Sequence, residues 1–138
     1  MRYMLDANIL LFTLEDRNRL TREVEEILGD YNNRKYISAE SVKEIVHLWQ
    51  SGKFSSKKQM FVNGVVDFIK NETDWEIKPI QKEHLRTLEK IPILHNHKDP
   101  SDRMIIAQAI TEKITLVSSD KMFSSYKKFG LELIFNDY

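Results

Sequence analysis

The sequence predicts an α/β fold in which a mainly parallel sheet of about five strands is covered by helices on both faces. Short apolar segments typical of strands alternate along the chain with longer segments whose apolar residues recur at helical spacing. This alternation favours parallel strands, because parallel neighbours are joined by crossover connections that usually contain a helix. The predicted strands span residues 2–5, 35–38, 75–80, 114–117 and 131–135.

The strand predictions rest on local signals. Residues 2–5 form a short apolar run, after which Asp6 begins a polar turn that leads into a helix. Residues 75–80 alternate between apolar and polar side chains with a period of two, and Pro79 marks the end or an edge of that strand. Residues 114–117, with the sequence ITLV, are a strong strand signal.

The helix predictions combine an apolar face with an interruption at the end. Gly29 ends the first of these helices, Gly52 follows the second, and Pro92 stops the fourth. Asp99 and Pro100 form a sound helix start, with Asp99 as N-cap and Pro100 at the first helical position. The predicted helices span residues 18–28, 42–49, 57–71, 82–91, 101–113 and 122–129.

Length and composition limit the function classes. The 138 residues fit a single domain spanning 1–138, and 41% hydrophobic with 30% charged residues is ordinary for a folded protein. The absence of cysteine excludes disulfides, thiolate zinc sites and cysteine nucleophiles, and is compatible with the cytoplasm. No apolar run is long enough to predict a membrane span. The formal net charge of zero excludes nucleic-acid binding through global charge, so attraction to RNA would need local basic clusters and metal.

Acidic residues occur where strands end and helices begin. The carboxyl ends of parallel strands share one edge of a sheet, where ligands bind in open α/β folds. We therefore expect these acids to converge although they are far apart in sequence. They are Asp6 after the first strand, Glu40 and Glu44 in the helix after the second, Asp99 and Asp102 at a helix start, and Asp120 after the fourth strand.

Such a cluster points to a divalent cation. Carboxylates brought together repel one another and their pKa values rise, and a cation with hard oxygen ligands, Mg²⁺ or Mn²⁺, removes that cost. Asn8 and Ser118 add neutral oxygen atoms that would orient the ligands or a water molecule. The alternative for each residue is a local role: Asp99 as a helix cap, Asp102 favouring a helix dipole, and Asn8 or Ser118 in a turn.

Basic residues and histidines give weaker signals. Arg103 and Lys121 flank the acids and are the predicted RNA contacts, although a local salt bridge is the alternative for Arg103. The pair Lys57–Lys58 is more typical of a solvated face than of a phosphate contact. His95 and His97 are a weak signal for a metal pair.

Four segments together resemble the PIN-domain family and, more narrowly, its VapC-type toxins. The resemblance covers nearly the whole chain and puts the four acids of the family on Asp6, Glu44, Asp102 and Asp120. Residues 97–109 are the most specific stretch, similar to a signature of one VapC subgroup. The segments are YMLDAN at residues 3–8, SAESVKEI at 38–45, HKDPSDRMIIAQA at 97–109 and LVSSD at 116–120.

The resemblance implies a three-layer α/β/α PIN-like domain that binds Mg²⁺ or Mn²⁺ at these acids. It also implies endoribonuclease activity, homodimerisation and inhibition by a small antitoxin protein. The sequence departs from the family at Ala7, where threonine is frequent, and at Ser101, where an aromatic residue is usual. Ser118 replaces the commoner threonine and keeps its hydroxyl. None of these departures removes an acid.

Three other classes of protein are alternatives to this prediction. A haloacid-dehalogenase-like phosphatase would need a second aspartate two residues after Asp6, where the chain has Asn8. A receiver domain would need an aspartate after the third strand and a lysine after the fifth, and neither is present. The remaining alternative is a catalytically weak PIN-fold binding module that acts through its partner complex, with any DNA contacts made by the antitoxin.

Overall fold

The computed structural model describes residues 1–53, 61–94 and 99–138. Some predictions lie outside these ranges: the first part of the helix predicted over 57–71, the pair Lys57–Lys58, and the histidines His95 and His97.

A parallel sheet forms the centre of the molecule, as predicted. Within the described residues it has five strands in the order β3-β2-β1-β4-β5, and every neighbouring pair is parallel. Because β1 is central, the chain extends the sheet to one side through β2 and β3 and then crosses to the other side for β4 and β5. The strands are β1 (Arg2–Leu5), β2 (Arg34–Ser38), β3 (Trp75–Lys78), β4 (Thr115–Ser118) and β5 (Leu133–Phe135).

Helices connect the strands, as the alternation predicts. Two short segments, Arg17–Arg19 and Lys121–Phe129, are 3₁₀-helical. No helix within the described ranges combines the length and the apolar character needed to cross a lipid bilayer. The α-helices are α1 (Ala7–Glu15), α2 (Arg22–Gly29), α3 (Ala39–Gln50), α4 (Val65–Glu72), α5 (Lys82–Lys90) and α6 (Pro100–Glu112).

Local backbone features explain why two helices begin later than the apolar pattern indicates. The helix predicted over 18–28 starts at Arg22, because the Oγ1 atom of Thr21 accepts a hydrogen bond from the Val24 N–H at 3.2 Å and sets the first turn there. The helix predicted over 57–71 is seen as α4 from Val65, after Gly64 adopts a φ of 96° that interrupts helical geometry.

Side chains of the central strand alternate between two separate cores. Tyr3 and Leu5 pack into a cluster that covers one face of the sheet, whereas Met4 between them packs into a cluster on the other face. This alternation follows from the period of two along a strand. Helices α1 to α4 supply the helical part of the first cluster, and α6 with the 3₁₀ segment Lys121–Phe129 supplies half of the buried residues of the second. The fold is therefore a three-layer α/β/α sandwich.

An ion-pair cluster links β3 to the helices on the second face. Lys78 Nζ lies 2.6 Å from one carboxylate oxygen of Glu112, and His84 Nε2 lies 2.7 Å from the other. Partial burial raises the pKa of Glu112, but the hydrogen bonds and charges of Lys78 and His84 outweigh it, so that the pKa ends below its ordinary value. This cluster connects α5 to the end of α6 and helps to hold α6 against the sheet.

The central sheet is expected to carry much of the stability. Ile37 of β2 is fully buried, so Ile37→Ala should lower the free energy of unfolding by about 2–5 kcal/mol through lost apolar contact and a residual cavity. Urea denaturation measures this value. The matched control is Ile93→Ala, since Ile93 is 57% exposed and its loss should cost less than about 0.5 kcal/mol. Equal effects at the two positions would contradict the assigned core.

Candidate functional site

The site is centred on Asp6, which follows the central strand directly. Its backbone N–H donates to the Val117 carbonyl at 3.0 Å, so the end of β1 is joined to β4. Its carboxylate accepts hydrogen bonds from the Ala7 N–H at Oδ1 and from the Ser118 hydroxyl at Oδ2, both at 2.8 Å. Asp6 thereby caps α1 and is only 5% exposed. One oxygen atom is therefore held by the first residue of α1 and the other by the last residue of β4.

One cleft brings the predicted acids together. It lies at the carboxyl edge of the sheet, where the chain leaves β1 and β4 in opposite directions, and such a topological switch leaves a crevice. The cleft has a volume of about 190 Å³. It is lined by Asp6, Ala7, Asn8, Leu11, Glu44, Asp99, Asp102 and Asp120.

Burial and neighbouring negative charges raise the free energy needed to ionise carboxyl groups in this cleft. Desolvation, with a smaller contribution from the charges of Asp102 and Glu44, raises the pKa of Asp6, and the hydrogen bonds from Ser118 and Ala7 lower it. The net result is a pKa of about 7. Glu44 is exposed as a residue, but partial burial of its carboxyl group, followed by the charges of Asp102 and Asp99, raises its pKa. The groups therefore interact electrostatically across the cleft.

Two neutral side chains contact the central carboxylate. The Ser118 hydroxyl donates to Asp6 and accepts the Asp120 N–H at 3.0 Å, so it serves both as a turn residue and as a holder of Asp6. The Asn8 Nδ2 atom lies 3.4 Å from Asp6 Oδ2. The Asn8 Oδ1 atom is buried and has no hydrogen-bond partner, although Asn8 lines the cleft. An acceptor left in this way fits a cation or a water molecule bound in the cleft.

Besides Asp6, two other acids of the cleft act as helix caps. Asp99 Oδ1 accepts from the Ser101 N–H at 2.9 Å and from the Asp102 N–H at 3.2 Å, as its predicted N-cap role requires. Asp120 Oδ1 accepts from the Met122 N–H at 2.9 Å. The capping fixes the position of both side chains on the rim of the cleft.

Arg103 and Lys121, the two predicted RNA contacts, have different surroundings in the structure. Arg103 Nη2 donates to the Ile91 carbonyl at 2.6 Å, at the C-terminal end of α5, and Arg103 is not among the residues that line the cleft. Its role as an RNA contact finds no geometric support. Lys121 is exposed at the start of the 3₁₀ segment, next to Asp120.

Sequence reasoning missed several participants. Ala7 and Leu11 line the cleft because they lie on the first turns of α1 beside Asp6. Glu40, which was grouped with the acids, does not line it: its Oε2 atom lies 2.7 Å from Lys43 Nζ. Asn136, buried after β5, contacts Ser119. The position of Asn136 directly after a predicted strand was the available signal.

The donor set fits a hard divalent cation. The buried Asp6 carboxylate and the partly buried Glu44 carboxylate have raised pKa values, and the Asn8 amide oxygen is unpaired. Oxygen donors of this kind are the ligands that Mg²⁺ and Mn²⁺ prefer. Over residues 1–53, 61–94 and 99–138, no three His, Cys, Asp or Glu side chains stand close enough to form a ready-made metal site. The fit therefore rests on the kind of oxygen donors that line the cleft and not on a preformed coordination geometry.

Residues 3–129 match the family model described as the PIN domain. The chain belongs to the PIN domain family. PIN domains are generally nucleases, and they typically use divalent metals. No curated protein sequence matches this PIN domain significantly.

Solved structures are similar to this PIN domain over nearly its full length. VapBC2 from Rickettsia felis, bound to a DNA fragment from its promoter, has a TM-score of 0.71 at 22% identity and covers 98% of both chains. VapBC-1 from nontypeable Haemophilus influenzae has a TM-score of 0.70 at 15% identity and covers 100% of both. VapBC-5 of a toxin–antitoxin system from Mycobacterium tuberculosis has a TM-score of 0.64 at 13% identity, covering 97% of this chain and 98% of that one. At these identities the likeness shows the fold.

The buried Asp6 should make the stability of the metal-free PIN domain depend on pH. The pKa of Asp6 is about 7 in the folded chain against an ordinary value of 3.8, so the unfolded chain loses its proton first as pH rises. Folding stability therefore falls between about pH 4 and pH 7. From pH 5 to pH 8 this contribution is at most about 3 kcal/mol.

Urea denaturation in EDTA at both pH values measures the effect. Asp6→Asn has no charge to bury and should lack this part of the fall. The unfolding free energy of wild type minus that of the variant should therefore decrease as pH rises. Asp67→Asn on the exposed surface of α4 is the control. Parallel profiles for wild type and Asp6→Asn would refute the assigned burial cost.

Proposed function

We propose that this PIN domain is a metal-dependent endoribonuclease and the toxin of a toxin–antitoxin pair. The observation that carries the proposal is the convergence of Asp6, Glu44, Asp102 and Asp120 on one cleft at the topological switch of the sheet. A purely structural cluster of acids would lower stability, because each carboxylate raises the cost of ionising the next. A cation bound for catalysis would offset that cost.

In the proposed reaction Asp6, Glu44, Asp102 and Asp120 would hold Mg²⁺ or Mn²⁺. When bound, the metal would supply an activated water and neutralise negative charge at the phosphodiester. The chain's own groups position the ligands. Ser118 and the Ala7 N–H hold the Asp6 carboxylate, and the free Oδ1 atom of Asn8 is available to orient a water molecule. Since Asp6 must lose its proton to bind a cation, metal affinity should weaken as pH falls through 7.

A second groove adjoins the cleft at Glu44 and Asp99 and would give a substrate room beside it. It is also lined by Lys43, His47 and Ser101. Lys43 is exposed, but its Nζ atom lies 2.7 Å from Glu40 Oε2, so its charge is already paired. Lys121, exposed next to Asp120, remains the predicted RNA contact, now without Arg103.

The partners are proposed on the resemblance to VapC-type toxins. The similar solved structures carry VapBC names, and one is described as part of a toxin–antitoxin system. We therefore propose a small antitoxin as the inhibitor, a homodimer as the active assembly, and a cytoplasmic location. Apolar side chains that remain exposed, Val62 at 81% and Val66 at 51%, are available for such contacts.

Cleavage of total RNA and tRNA by the purified chain tests the activity. We expect cutting in Mg²⁺ or Mn²⁺ and none in EDTA. Asp102→Asn and Asp6→Asn should each reduce the rate by at least about 100-fold, because loss of even an outer-shell partner typically costs 10–100-fold. The rate is measured from the initial loss of full-length RNA on a denaturing gel.

The controls separate lost chemistry from lost folding. Asp67→Asn removes a carboxylate from the exposed face of α4 and should cut at the wild-type rate. Circular dichroism should show the same fold for all variants. If Asp6→Asn and Asp102→Asn both cut as fast as wild type, the site assignment is wrong. If folded wild-type chain free of antitoxin cuts nothing in either metal, the binding-module alternative is favoured.

Expression without a partner tests the toxin role. Wild-type chain induced in a bacterial host should arrest growth, whereas Asp6→Asn at equal protein level should be tolerated because it cannot hold the metal. Colony counts and growth curves after induction measure the difference, with Asp67→Asn as the toxic control. Normal growth with soluble wild-type chain would contradict the toxin role and would favour a module that acts only through its partner complex.

A further inference from the structure

Asn136 is a buried amide next to the candidate site that the proposed reaction does not use. It follows β5 and is 1% exposed. Its Nδ2 group donates to the Arg19 carbonyl at 2.7 Å and to the Ser119 Oγ at 2.8 Å, while its Oδ1 accepts from the Thr21 N–H at 2.7 Å. Both amide hydrogens and the carbonyl oxygen are therefore paired.

These bonds join three segments that are distant in sequence. Arg19 and Thr21 belong to the connection between α1 and α2, and Ser119 belongs to the loop after β4. The backbone N–H of Asn136 also donates to the Ser118 carbonyl at 2.8 Å. The residue thus contacts the β4 loop at two successive positions, by backbone and by side chain.

Two residues of the candidate site flank Ser119 in the loop after β4. Ser118 on one side donates to the Asp6 carboxylate, and Asp120 on the other lines the cleft. The Ser118 hydroxyl also accepts the Asp120 N–H, so the loop is a tight turn around one oxygen atom. Displacement of Ser119 would therefore move a holder of Asp6 and a proposed ligand at the same time.

We propose that Asn136 is a positioning residue that sets the geometry of the cation site by anchoring residues 118–120. The inference rests on the proposed metal-dependent function. A buried amide with every polar atom paired is costly to replace, since each lost partner leaves an unsatisfied group. Partners that orient metal ligands from outside the first shell typically change metal affinity by about 10–100-fold.

Binding of Mn²⁺ to the full chain without RNA tests the inference. Isothermal titration calorimetry at pH 8 should show Asn136→Ala binding Mn²⁺ at least about 10-fold more weakly than wild type. Ser119→Ala leaves the bonds to Arg19 and Thr21 intact and removes only the side-chain link to the loop. It should weaken binding by roughly threefold or more, and it keeps the test valid if Asn136→Ala does not fold.

A matched control separates positioning from stability. Asn33→Ala also removes a partly buried side-chain hydrogen bond, from Asn33 Nδ2 to the Ile27 carbonyl at 3.2 Å, but Asn33 precedes β2 at the opposite edge of the sheet. It should lower the melting temperature and leave the Mn²⁺ affinity unchanged. Amide hydrogen exchange of the metal-free chain should accelerate over residues 118–122 in Asn136→Ala and not in Asn33→Ala.

The outcomes distinguish this inference from the proposed function. Wild-type Mn²⁺ affinity in folded Asn136→Ala and in Ser119→Ala would overturn the positioning role and leave the proposed function standing. Unchanged exchange over residues 118–122 in Asn136→Ala would overturn it as well. No Mn²⁺ binding by wild type, and no binding of Mg²⁺ in the same titration, would overturn the metal-dependent function and this inference with it.

Discussion

Burial of the Asp6 carboxylate is the constraint on which the rest of the site depends. Asp6 is the first residue after the central strand. The neighbouring strands and the helical layers on both faces of the sheet remove its carboxylate from water. Two hydrogen bonds offset part of the free-energy cost of burying the charged carboxylate, yet the pKa of Asp6 remains about 7. A fold that keeps a carboxylate in this state at neutral pH is poised to bind a cation, because ligation recovers free energy that burial has cost.

The topology explains why this position is the centre. Since β1 lies between β2 and β4, the loops that leave its neighbours diverge and open a crevice above its carboxyl end. Glu44 reaches the crevice from α3 on one face of the sheet, and Asp102 reaches it from the first turn of α6, which packs on the other. Acids from the helical layers on both faces of the sheet therefore lie in the same cleft.

Hydrogen bonds between distant segments give the cleft its shape. Ser118 connects Asp6 to Asp120 through one hydroxyl, and Asn136 fastens the same loop to the connection before α2. Arg103 shows the opposite case: it is adjacent to Asp102 in sequence, but its guanidinium binds the end of α5. Neighbours in sequence on a helix point to different faces, so adjacency to an acid does not bring a residue into the site.

The sequence correctly predicted the element order, the parallel sheet and five acids that line one cleft, whereas the sixth predicted acid, Glu40, pairs with Lys43 instead. The prediction succeeded because hydrophobic periodicity reports burial directly, and because strand ends in a parallel sheet share an edge. The side-chain cap of Thr21 sets the helix start at Arg22, and the positive φ of Gly64 sets the start at Val65. Apolar periodicity detects neither feature. Only the tertiary structure decided that Arg103 leaves the cleft, that Asn8 keeps an unpaired oxygen in it, and that Asn136 anchors residues 118–120. Those features depend on contacts between segments separated by up to 117 residues, and no local pattern in the chain encodes the direction of a side chain across that separation.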